Sequence, residues 1–329
     1  MSTTINADEE AQILQWLTPI DYSRQQRDLR RRRQEGTGQW LLNSESFRQW
    51  MKHGGQAMYC AGYHGVGKTM MTSIIVDYLT TEFEHDPGVA ITYIYCSCQP
   101  QQEDKTEDIL FSIIKQLSQQ QPTVPTCVKD FYQRHRAQGA SFKETIDVLE
   151  STMTLYSRVF ILIDALDEFA ISSDEERARL YSMIRDYQQR AEVNVFATSR
   201  FNSAIHRLFY ECICVQLMAA DDDILCYINR RIPLLLRSQI SKHPKLQEMI
   251  RREVVKSAHG MFLLAQLYMD SLMSQATVGD IKRALKSLPT ILDDAYEKAM
   301  RKIESQTAGY KELAKQILFG HRSIYVPTC

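Results

Sequence analysis

Eight consecutive residues, Gly62-Tyr63-His64-Gly65-Val66-Gly67-Lys68-Thr69, restrict the fold more than any other part of this chain. They match G-x-x-x-x-G-K-[ST] without exception, a pattern that cradles phosphate when it lies between a strand and a helix. The glycines let backbone N–H groups turn inward onto phosphate oxygens, and the following helix offers its positive N-terminal end. Lys68 would reach the β- and γ-phosphates of a nucleotide, and the Thr69 hydroxyl would bind Mg²⁺. The flanks supply the required context. "AMYCA" (57–61) reads as a short buried strand, and "MMTSIIVDYLTTEF" (70–83) carries Met71, Ile74, Ile75, Tyr78 and Leu79 at helical spacing. The candidate nucleotide-binding residues are therefore Gly62, Gly65, Val66, Gly67, Lys68, Thr69 and Met70. A glycine-rich turn followed by an exposed lysine is the competing reading, and the strand before and helix after weigh against it.

The rest of the pattern alternates. "VAITYIYCSC" (89–98), "RVFILIDALDEF" (158–169), "VNVFATSRF" (193–201) and "ECICVQLM" (211–218) read as strands. Between them lie helical patterns at 107–117, at 141–153 behind a Ser141…Glu144 capping box, and from a Ser173…Glu176 cap to about Arg190. Strands that are apolar on both faces and alternate with helices predict a parallel sheet covered on each side. Residues 11–55 look helical, with a break at Gly36 and Gly38. After residue 220 strand signals stop, and 221–232, 245–273, 278–288 and 292–306 all read as helix. The expected organisation is an N-terminal helical segment (1–55), an α/β core (56–220) and a helical lid domain (221–329).

Asp164 ends the apolar strand "VFILID" and so falls at the carboxyl edge of the sheet, where open α/β sheets bind ligands. Beside a phosphate loop it would hold Mg²⁺ through water. Glu168 and Asp167 follow within one turn, and one of them would orient or deprotonate an attacking water. Glu168 is the first choice and Asp167 the second; the spacing does not separate them. With Lys68 they are the candidate catalytic residues. Ser199 or Arg200, at the end of a further strand, would sense the γ-phosphate.

Composition limits the partners. Thirty-nine basic against forty acidic residues leave a formal charge of −1, so no overall basic field recruits nucleic acid. The run Arg30 to Arg33 reads as a solvated helix face. No 18-residue apolar stretch would span a membrane, and "MSTTINADEE" has no leader pattern. Eight cysteines without C-x-x-C spacing read as reduced thiols rather than zinc ligands, which points to the cytoplasm.

"GYHGVGKT", "ILIDALDEF" and "FATSR", in that order, resemble the P-loop, Walker B and sensor segments of NACHT-type STAND nucleoside triphosphatases. "RRRQEGTGQWLLNSESFRQW", "HGMFLLAQLYMDSL" and "LPTILDDAYEKAMRKI" resemble more specifically the nephrocystin-3-like N-terminal module of fungal NLR-like proteins. The resemblance implies a five-stranded sheet in the order 5-1-4-3-2 and a signalling switch, closed with ADP and opened by ATP (GTP being possible), with slow hydrolysis. It also implies assembly with further copies or with longer, repeat-bearing relatives. Two departures stand out. Gly260-Met261-Phe262 lacks the proline often found after the lid glycine, and "FGHRSIYVPTC" reads as an end that falls before the family's winged helix. An AAA+-like nucleic-acid ATPase, a small-molecule kinase and a nucleotide-binding scaffold without hydrolysis are the competing functions.

Overall fold

The computed structural model describes residues 7–96, 106–169, 174–190, 193–235, 243–275 and 277–288. The helix expected at 292–306, the C-terminal "FGHRSIYVPTC", Cys98 and the Ser173 cap lie outside them.

Four helices come first: α1 (Ala7–Leu17), α2 (Tyr22–Arg32), α3 (Gln39–Leu42) and α4 (Glu45–Lys52). β1 (Ala57–Ala61) leads through the glycine loop into α5 (Lys68–Glu82), followed by β2 (Val89–Tyr95), α6 (Thr106–Gln119), α7 (Thr126–His135) and α8 (Phe142–Met153). β3 (Arg158–Asp164), α9 (Asp174–Arg190), β4 (Val193–Ser199), α10 (Ser203–Leu208) and β5 (Ile213–Gln216) complete the α/β part. Four helices then follow: α11 (Asp221–Leu235), α12 (Pro244–Ala258), α13 (Phe262–Met273) and α14 (Val278–Lys286).

All four strand pairings are parallel and the order is β2-β3-β4-β1-β5, the expected 5-1-4-3-2 read from its other edge. Successive strand residues point to opposite faces. Tyr59, Ile161, Ile163 and Val195 pack under α1, α6, α8 and α9, whereas Met58, Cys60, Phe160, Leu162 and Phe196 pack under α3, α4 and α5. The N-terminal helices are part of these layers: Ile13 and Leu17 of α1 join the first core, and Phe47 and Trp50 of α4 join the second. Buried Trp50 also donates its indole N–H to Val195 O at 3.0 Å. The four described helices after β5 enclose a separate core around Ile228, Ile250, Leu264 and Met269. Among the described residues no helix is long and apolar enough to cross a membrane.

Several local readings change. α7 and α10 were not foreseen. The run 245–273 is two helices, because His259 (φ 48°) and Gly260 (φ 72°) are both left-handed and stop α12. The Ser141–Glu144 capping box forms as expected.

The β2 edge of the sheet is covered by side-chain amides. On the outer side of β2, Gln120 accepts from Ile91 N–H (3.0 Å) and donates to Ile91 O (3.0 Å). Gln116 does the same for Tyr93, at 2.9 Å in both directions. The two amides take the place of a neighbouring strand and close an edge that would otherwise template intermolecular pairing. Gln116→Ala with Gln120→Ala is expected to lower stability by about 1–2 kcal/mol and to raise light scattering with protein concentration. A double variant as monodisperse as the parent would show that something else protects β2.

Candidate nucleotide site

The loop after β1 is held by its neighbours before any ligand is considered. Gly62 N–H donates to Ser199 O of β4 (3.0 Å), and Leu217 N–H, just after β5, donates to Ala61 O (2.7 Å). Gly67, at φ 101°, makes the left-handed step that starts α5, a conformation that costs other residues energy. Gly65, at φ 80°, lies against the last helical unit. A Cβ there would meet Leu263 Cβ at 2.7 Å, and the Leu263 N–H donates to Gly65 O at 2.9 Å.

Lys68 is buried and donates to Gly62 O (3.0 Å) and Tyr63 O (3.1 Å). Burial lowers its pKa, while Asp167, Asp164 and Glu168 act in the opposite direction. The ammonium thus sits inside the loop with three carboxylates around it.

Asp164 is 1% exposed and accepts three hydroxyl hydrogen bonds. Thr69 Oγ1 donates to Oδ2 at 2.6 Å; Thr72 and Thr198 donate to Oδ1 at 3.0 and 2.7 Å. Burial raises the Asp164 pKa, and the hydroxyls of Thr69, Thr198 and Thr72, followed by the charge of Lys68, lower it. The chain then turns at Ala165 (φ 53°), whose N–H donates to Thr198 Oγ1 at 2.9 Å. Thr72 and Thr198 were missed in the sequence. Thr72 lies three residues after Thr69, on the same face of α5. Thr69 and Asp164 offer only hard oxygen donors, which suits Mg²⁺ shared with phosphates rather than a dedicated protein cage. Consistent with this, the described residues hold no cluster of three or more histidine, cysteine or acidic ligands.

The two acids after Asp164 have different surroundings. Asp167, with its side chain 8% exposed, accepts Arg200 N–H at 2.9 Å and Arg200 Nε at 2.6 Å, and Arg200 itself is 51% exposed. Glu168 is half-buried; burial first, and then repulsion from Asp167, raises its pKa. Ser199 is fully buried, with its hydroxyl 2.6 Å from Tyr59 OH and 2.6 Å from Arg200 O, so its side chain is spent inside the sheet.

Beside the loop opens a cavity of about 380 Å³. His64, Gly65, Val66, Gly67, Thr69 and Met70 line one end. The other end is built from segments distant in sequence. Leu29, Thr37, Gly38 and Trp40 come from the N-terminal part, Met218, Ala219 and Asp223 from the approach to α11 and its first turn. Phe262 lines it too, although no proline precedes it; Gly260 is tight against Met218, whose Cε would lie 2.8 Å from an added Cβ.

Solved structures similar to the chain share 12–14% identity with it. The Walker-type ATPase PABY2304 of Pyrococcus abyssi matches over 86% of this chain and 79% of its own, with a TM-score of 0.47. The Aeropyrum pernix ORC1 protein, solved in complex with DNA, matches over 83% and 74% with 0.42. C. elegans PCH-2 matches over 75% and 62% with 0.38, so the chain spans less than two thirds of it. Likeness at these scores leaves function to the residues themselves. No curated protein matches the sequence. The family described as Nephrocystin 3, N-terminal, matches residues 36–200, from the glycine turn before α3 to the arginine after β4. With half of its length so matched, and with the phosphate loop, Asp164 and Arg200 inside the match, the chain belongs to the nephrocystin 3 N-terminal family of P-loop proteins.

Proposed function

We propose that this chain is a nucleotide-dependent switch of the STAND type, with ATP and ADP as ligands and slow hydrolysis. The observation that carries the reading is the direct bond between Leu263 N–H and Gly65 O, which ties the helical unit to the loop that would hold the phosphates. A change in phosphate number at the loop then acts on the lid through one backbone contact. A scaffold that only stored nucleotide would not need that tie.

In this reading Lys68 leaves the carbonyls of Gly62 and Tyr63 and pairs with the β- and γ-phosphates. Thr69 and Asp164 would give up their mutual hydrogen bond to hold Mg²⁺, which when bound would supply positive charge against the phosphate oxygens. Thr72 and Thr198 hold the Asp164 carboxylate in place during that exchange. Glu168, whose pKa burial raises, accepts a proton from the attacking water, while Asp167 keeps its bonds to Arg200. Arg200, on the exposed end of that pair, responds to the γ-phosphate. The exposed rings of Tyr63 and Phe201, 4.8 Å apart beside the loop, support association with a second copy or a longer relative. None of the six described cysteines forms a disulfide, which supports a reducing, cytoplasmic setting.

Three outcomes test these roles. A ligand at 100 times its Kd adds about 2.7 kcal/mol of stability, a rise of several degrees in Tm, and Lys68→Ala is expected to remove that rise with an unchanged far-UV spectrum. An equal shift in the variant rejects the phosphate cradle. Glu168→Gln should bind nucleotide and lose turnover. In the parent, the raised Glu168 pKa should make turnover fall, on acidification, at a pH above the usual glutamate range, because the base is lost once protonated. If Asp167→Asn stops turnover and Glu168→Gln does not, the two acids have exchanged roles. Gly65→Ala, which forces Leu263 away, is expected to speed release of a fluorescent ADP analogue about tenfold, a change of about 1.4 kcal/mol. Unchanged stopped-flow release would mean the loop and lid are not coupled.

A further inference from the structure

Away from the phosphate loop the cavity is lined by the apolar side chains of Leu29, Met218, Tyr227 and Phe262, and Arg32, Gln34, Thr37 and Gln266 add polar groups to its lining. Two more polar groups of the lining lie side by side: the carboxylate of Asp223 and the indole N–H of Trp40. Both oxygens of Asp223 lie 3.1 Å from the same donor, Gly38 N–H. That N–H therefore sits in the fork of the carboxylate, and the acceptor positions left over lie on its outer sides, one per oxygen. Trp40 Nε1 is buried and makes no hydrogen bond of its own. It lies close enough to Asp223 to help stabilise the ionised carboxyl, whose pKa burial raises. A carboxylate that can still accept only at its outer positions and an indole donor thus stand side by side in the cavity lining.

Purine edges differ in what they ask of such a pair. Adenine presents one amine N–H donor next to one ring-nitrogen acceptor. Guanine presents a carbonyl acceptor and two parallel N–H donors, which a carboxylate receives best with both oxygens of its fork. Here the fork is already filled by Gly38, so that two-point contact is blocked. Hypoxanthine has the shape of adenine but its donor and acceptor are exchanged.

We propose that Asp223 and Trp40 read the base, Asp223 accepting from the amine of adenine and Trp40 donating to the neighbouring ring nitrogen. The site is then specific for adenine nucleotides. This rests on the loop being the phosphate end of the same cavity, and it adds the specificity residues that the loop itself cannot supply. It also explains why the base wall joins two distant segments. The carboxylate is oriented by Gly38 of the N-terminal part, so the base is read only when that segment and α11 are together.

The test uses the full chain with Mg²⁺ and measures Kd by calorimetry for ATP, GTP, inosine triphosphate and inorganic tripolyphosphate. The parent is expected to bind ATP about 10- to 100-fold more tightly than GTP or inosine triphosphate, as for a well-placed pair of base contacts. Asp223→Asn, which keeps an acceptor for Gly38, and Trp40→Phe, which keeps a ring and leaves the Asp223–Gly38 bond untouched, should each bring that ratio to within about threefold. Tripolyphosphate affinity should not move in either. Equal or tighter binding of GTP by the parent overturns the proposal, as does a ratio that survives in Trp40→Phe or in a folded Asp223→Asn. The reading of the loop fails separately, if tripolyphosphate does not bind the parent or binds Lys68→Ala as well.

Discussion

The carboxylate of Asp164 is almost fully buried, and much of the site's geometry answers the electrostatic demand of an acid in that place. It ends a strand that is buried on both faces, and an ionised acid in such a place is costly unless hydrogen-bonded and paired. Three threonine hydroxyls and the nearby Lys68 meet that need. Because the hydroxyls come from α5 and β4, one carboxylate fixes the helix of the phosphate loop against two strands at once. Thr198 also accepts the Ala165 N–H, so the same hydroxyl supports the left-handed turn that follows. Such a turn costs a non-glycine residue roughly 1–2 kcal/mol. It is stable here because its neighbours leave the chain no better route.

Much of this was legible in the sequence, for definite reasons. The glycine loop is readable because few other residue types fit φ near 80–100°, and β3 because the five residues from Val159 to Ile163, buried on both faces, leave an uninterrupted apolar run. The strand order came from the family resemblance rather than from periodicity, which says nothing about which strand lies beside which. The far end of the cavity was not legible at all. Gly38 and Asp223 are 185 residues apart, and neither stands out until the chain brings them to 3.1 Å. The break between α12 and α13 was missed because apolar spacing continues through it. Only the conformations of His259 and Gly260 mark the boundary.

The N-terminal residues do more than precede the core. Gln26 of α2 donates to Ser73 O (3.0 Å) and Asp77 (2.9 Å) on α5 and accepts from the Tyr95 hydroxyl at the end of β2. Buried Lys115 of α6 donates to Thr18 O (2.8 Å) and Ile20 O (3.3 Å) in the turn between α1 and α2. Polar groups placed this deep are tolerated because each has partners: removing Lys115 would take a donor from the Thr18 and Ile20 carbonyls, and removing Gln26 would leave the Tyr95 hydroxyl without its acceptor. The outcome is that Gly38, which follows α2 and starts α3, is presented to the cavity by a well-anchored segment rather than a loose arm.

That anchoring defines what can move in the proposed switch. The polar contacts of the helical unit with the remainder of the site include Leu263 N–H to Gly65 O, Asp223 to Gly38 N–H, and Ala219 N–H to Gly260 O at the hinge; Cys226 and Arg230 of α11 add exposed contacts to Glu35 O, Gln34 and Glu35. Each hydrogen bond of this kind contributes about 1 kcal/mol net, and the exposed ion pair adds little, so breaking those that join the two parts costs only a few kcal/mol. Reversing a population from 1:99 to 99:1 needs about 5.5 kcal/mol of differential binding. A nucleotide that touches the loop, Asp223 and Phe262 together spans all the pieces and can supply a difference of that size. A phosphate ligand alone touches only one side of the hinge and cannot hold the lid by direct contact. In the proposed mechanism the base therefore keeps the lid attached, while the number of phosphates, felt at Gly65 through the loop, decides whether it stays.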